Sequence, residues 1–154
     1  MFSKWGFLFL LILAIFATGC RGLGSVIDDI PIPLVGSVID NIVLVVKANR
    51  VAGVLDSEIS IAYQSSADGS GAVSKSRIKA TILDFSCNVM VDALQDGSVT
   101  WEDAKNEAAS AFISSFIDEL GTGVINSLWS IMNALENESN SDVIMASQIC
   151  SRLE

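Results

Sequence analysis

Residues 74–95, SKSRIKATILDFSCNVMVDALQ, decide the fold. Ile78, Ile82, Phe85 and Val89 recur at the spacing of one helix face, and Leu83, Cys87, Met90 and Leu94 form its flank. Asp96-Gly97 ends this helix. Thr100 with Asp103 then makes a start of the capping-box type, Asp standing in for the preferred Glu. The helix that follows runs from Trp101 to Leu120, with Trp101, Ala104, Ala108, Phe112, Phe116 and Leu120 in line, and Gly121-Thr122-Gly123 stops it.

The pattern continues on both sides. Val124 to Leu135 is helical, with Ile125, Leu128, Trp129 and Met132 facing inward. Glu136 to Ser141 is polar, and Ser139 with Asp142 is placed to cap a last short helix bearing Val143, Ala146, Cys150 and Leu153 on one face. Upstream, Leu34 to about Tyr63 repeats apolar residues at helical spacing, with an interruption expected near Gly53. The β-branched run Ile42-Val43-Leu44-Val45-Val46 also suits a buried strand. Gln64 to Gly71, QSSADGSG, has the composition of a loop. The expectation is one all-α domain over residues 34–154, a small bundle of four to six helices.

The N-terminus reads Met1-Phe2-Ser3-Lys4-Trp5-Gly6, then an unbroken apolar run from Phe7 to Ala17, then Thr18-Gly19-Cys20. A short cationic start, an apolar run and small residues at the exit are the parts of a secretory signal. An eleven-residue helix spans about 16 Å, roughly half the hydrocarbon core, so cleavage is expected rather than stable spanning. Ala17-Thr18-Gly19-Cys20 resembles the lipobox of bacterial lipoproteins, although Leu is usual where Ala17 stands. The resemblance implies a signal peptide over 1–19, acylation of Cys20 with palmitate-type chains, and a tether over 20–33. Arg21, in place of the Asp that retains many such lipoproteins at the inner membrane, implies an outer-membrane location with the domain in the periplasm. The alternative is an ordinary signal-peptidase site, because Ala17 and Gly19 also satisfy the small-x-small rule.

With Cys20 taken by lipid, Cys87 and Cys150 remain. An even pair in an exported chain is most simply a disulfide, and both positions fall at apolar helix faces. Two free buried thiols are the other reading.

Without residues 1–19 the chain keeps 135 residues, enough for one domain with a core. The mean hydropathy of +0.52 is inflated by the apolar leader. Ile30 to Val46 is the other apolar stretch, but its two prolines and Asp40 make it a poor membrane span. Charge is uneven: residues 20–83 hold six basic and six acidic side chains, residues 84–154 two and twelve. Such an acidic half repels nucleic acid and anionic headgroups, and either keeps the chain soluble or steers a basic partner.

Histidine is absent, which removes Ser-His-Asp and Cys-His nucleophile systems and nearly all catalytic zinc sites. Glu102/Asp103 and Asp118/Glu119 are nominal carboxylate pairs, but adjacent acids on a helix point in different directions. Asp92 to Asp103 resembles an EF-hand calcium loop through Asp92, Asp96, Gly97, Val99 and Thr100. Leu94 at the third position cannot be a ligand, and Asp103 stands where a bidentate Glu belongs. A turn at Asp96-Gly97 and a cap at Thr100 account for the same residues without metal. Trp101 and Trp129 read as core.

No catalytic residue, cofactor or metal is therefore expected. The expected function is a non-catalytic interaction module, anchored to the membrane and bound to another envelope protein. The architecture resembles pilotins, small helical lipoproteins that escort secretin subunits, without a shared motif beyond the lipobox. A phage or prophage envelope lipoprotein acting in superinfection exclusion or lysis is an alternative, although the few prolines, Pro31 and Pro33, count against lysis. A module that binds a small ligand or lipid is another.

Overall fold

The computed structural model describes residues 32–66 and 73–154, and among them there is no strand. The expected signal peptide, Cys20 and most of the expected tether lie outside the described residues. The elements are α1 (Ile32–Ser66), α2 (Lys75–Leu83), a π-helical segment (Asp84–Val89), α3 (Met90–Gln95), α4 (Trp101–Leu120), α5 (Gly123–Ser139) and α6 (Val143–Leu153). The chain divides into two units, Met1–Ile39 and Asp40–Glu154. In the first, residues 32–39 are the start of α1, with Val38 and Ile39 exposed.

The second unit is the all-α bundle that the periodicity implies. Helix α1 is longer than its pattern suggests. It begins inside the expected tether, with Pro33 in the first turn, where a missing N–H leaves no bond unmade. It also runs through Gly53 without a break. A glycine there costs about 1 kcal/mol of helix propensity. The flanking Val51 and Leu55 are fully buried, and that packing outweighs the cost. The β-branched run Ile42–Val46 is helical for the same reason: it lies within one helix whose later turns are fixed by Ala48, Val51, Leu55, Ile59 and Ala62.

Helix α1 lies antiparallel to α5. Lys47 Nζ donates to the Glu138 carbonyl at one end, and Ser127 Oγ, fully buried, donates to the Glu58 carbonyl at 3.2 Å in the middle. At the other end Gly123 meets Ser65, and a Cβ placed on Gly123 would fall 2.7 Å from Ser65 Cβ. The glycine is thus needed for close approach, while Gly121, at φ +82° and ψ 168°, supplies a positive-φ conformation that only glycine adopts readily and so ends α4.

The expected helix 74–95 exists as a rod, but it is not uniformly α. Six residues, Asp84–Val89, widen into π-helix. The wider turn brings Phe85, Ser86 and Cys87 to the core together, and Ser86 Oγ donates to the Ile82 carbonyl at 2.7 Å. An added residue also advances the helical phase. Val89, expected on the main face, is half-buried, while Met90 and Leu94 from the expected flank take the core positions after Ile78, Ile82 and Phe85.

Phe85 packs edge-on against Phe112 and Phe116 of α4, with ring centroids 5.6 and 5.7 Å away. Across the core, Cys87 is bonded to Cys150 of α6, their Cα atoms 5.6 Å apart. Helix α5 extends to Ser139, four residues past its expected end, before Asn140 turns left-handed. Its buried stripe is Val124, Leu128, Ile131 and Leu135 with Met132. Ile125 and Trp129, expected inside, lie at the edge of the stripe. Asp142 caps α6 by accepting from the Ile144 and Met145 amides, whereas Ser139 bonds back to Glu136 and takes no part in the cap.

Two stability experiments follow from this packing. The bridge closes a 63-residue separation, so Cys87→Ser should lower the free energy of unfolding by up to ~4 kcal/mol in denaturant titration. An unchanged midpoint would mean that the bridge does not form. Gly123→Ala should cost about 1–3 kcal/mol by overpacking against Ser65, read as a lowered Tm.

Candidate interaction surfaces

Three parts of the bundle gather polar or reactive groups: the acidic groove beside α3, the Lys105 cluster between α4 and α5, and the bridge itself. The groove has a volume of about 550 Å³ and is lined by Asn88, Asp92, Asp96, Ser98 and Glu107 among others. The EF-hand-like stretch borders it but has no EF-hand geometry. Asp92 to Gln95 are helical, so Asp92 projects from α3 rather than from a loop. Only Asp96 to Thr100 link the helices, with Gly97 at φ +72° in the turn.

Asp103, the last position of that stretch, is engaged in the helix cap. Its carboxylate accepts from Thr100 Oγ1 at 2.7 Å and from the Thr100 amide at 3.3 Å, while the Asp103 amide donates back to Thr100 Oγ1. The side-chain bond from Thr100, reinforced by the backbone one, holds the Asp103 carboxyl below the usual carboxylate range. The cap is therefore charged above that range and is lost only as pH falls through the lowered value. Among the described residues no cluster of three acidic or cysteine side chains is arranged to hold a metal ion.

The nominal carboxylate pairs do not converge. Glu102 reaches Lys105 at 3.2 Å while its neighbour Asp103 turns to Thr100, and Glu119 reaches Arg77 at 3.3 Å while Asp118 is exposed. Each acid faces its own partner or solvent, as adjacent positions on a helix require.

Lys105 is the buried charge that sequence reading missed. It is 7% exposed, and its ammonium contacts Asn133 Oδ1 at 3.1 Å, Glu136 at 3.0 Å and Glu102 at 3.2 Å, with the Trp129 ring 6.0 Å away. Burial by itself would lower its pKa, but the hydrogen bonds that the ammonium donates to Glu136 and Glu102, together with their charges, outweigh that, and the net shift is upward. The signal available in sequence was Lys105 in line between Ala104 and Ala108 on a buried face. Nothing local to it announced Asn133 and Glu136 on α5. Trp101, at the start of α4, donates through Nε1 to the Ser141 carbonyl at 3.1 Å, so both tryptophans of the bundle sit half-buried at helix–helix joints rather than in the core.

Cys87 and Cys150 are paired and buried, and Cys20 lies outside the described residues. No described helix is long and apolar enough to cross a membrane. No family model matches the chain, and no curated protein and no solved structure matches it.

The Lys105 cluster acts as a clamp between α4 and α5, and it gives a signed prediction. A raised folded-state pKa means that its contribution is complete at neutral pH and is lost as pH rises through the raised value. Lys105→Met should cost about 2 kcal/mol in urea unfolding near neutral pH, the worth of hydrogen bonds to charged groups. The variant should also lose the part of the alkaline fall in stability that belongs to this lysine. A variant as stable as the parent at both pH values would rule the clamp out.

Proposed function

We propose that this chain is an exported envelope lipoprotein, anchored through acylated Cys20, whose helical bundle is a non-catalytic protein-interaction module. The observation that carries the reading is the buried bridge between Cys87 and Cys150. Disulfides of this kind persist in oxidising compartments and are rare in reducing ones, so the bridge supports export of a chain that opens with an apolar leader. It also leaves Cys20, next to Thr18-Gly19 and after the apolar run, as the one cysteine outside the pair. That is the position the lipobox resemblance needs.

Interaction is supported by the charge partition. Residues 84–154 carry twelve acidic and two basic side chains, and Asp92, Asp96 and Glu107 border one groove in this half. A field of one sign attracts a basic segment of a partner and speeds encounter, with strong salt dependence. The partner is thus another envelope protein with a basic contact segment, and the lipid anchor confines the search for it to one membrane.

The reading is tested in two steps. Cys20→Ser should abolish the diacylglyceryl mass on the N-terminal peptide and leave an uncleaved or soluble chain. If the mutant is still cleaved and still fractionates with membranes, the anchor is wrong. Crosslinking of the tagged parent in cells should capture one dominant envelope protein, and the triple change Asp92→Asn, Asp96→Asn, Glu107→Gln should reduce its yield. Capture that is indifferent to these charges would overturn the electrostatic contact, and no dominant capture would overturn the interaction role.

A further inference from the structure

We draw no further inference here: the strongest candidate, the exposed apolar side of α1 that carries Ile42, Val43, Val46, Val54 and Ile61, is an open helix face, and nothing in the structure shows what covers it.

Discussion

The bond between Cys87 and Cys150 fixes the point about which the bundle is arranged. It ties the middle of the rod 75–95 to the C-terminal helix, with 5.6 Å between the two Cα atoms. The rod therefore cannot move away from α6, and the π-helical widening at Asp84–Val89 keeps Cys87 turned inward beside Phe85 and Ser86. On the same segment Phe85 meets Phe112 and Phe116, so one stretch of six residues joins three helices. A cross-link of this kind chiefly removes conformations from the unfolded chain, and the aromatic contacts add directional packing in the folded one.

Around that centre the polar groups are satisfied by local rules. Thr100 and Asp103 close a capping box, Asp142 caps α6, and Lys105 carries its charge into a buried site only because Glu136, Glu102 and Asn133 receive it. No buried side-chain nitrogen or oxygen among the described residues lacks a partner. With its polar joints closed, the bundle exposes an acidic groove beside α3 and apolar side chains along α1. The proposed roles divide accordingly: the chain is held through its N-terminal part and makes contacts through its C-terminal part.

Much of the fold was legible. The helices 101–120 and 143–153 were bounded by Thr100, Gly121 and Asp142, residues whose side chains or backbone freedom act within a few positions of themselves. The candidate site was less legible. The calcium-loop resemblance failed because Asp92 to Gln95 continue the preceding helix, a matter of where packing of Met90, Val91 and Leu94 ends rather than of which ligands are present. Lys105 was missed because its partners lie 28 and 31 positions away on another helix.

By itself the sequence determined the helical class, the cysteine pair and the ends of most helices, because hydrophobic period, caps and turn residues act over one or two turns. Only the tertiary structure decided two further things. The π-helical segment advances the phase of the rod, which puts Met90 in the core in place of Val89. The antiparallel seat of α1 on α5 decides which side of α1 is covered: Leu44 packs against the core while Ile42, Val43, Val45 and Val46 stay exposed. Both depend on how distant helices fill a shared volume. Periodicity within a segment carries the spacing of a face, but not the direction in which that face must point.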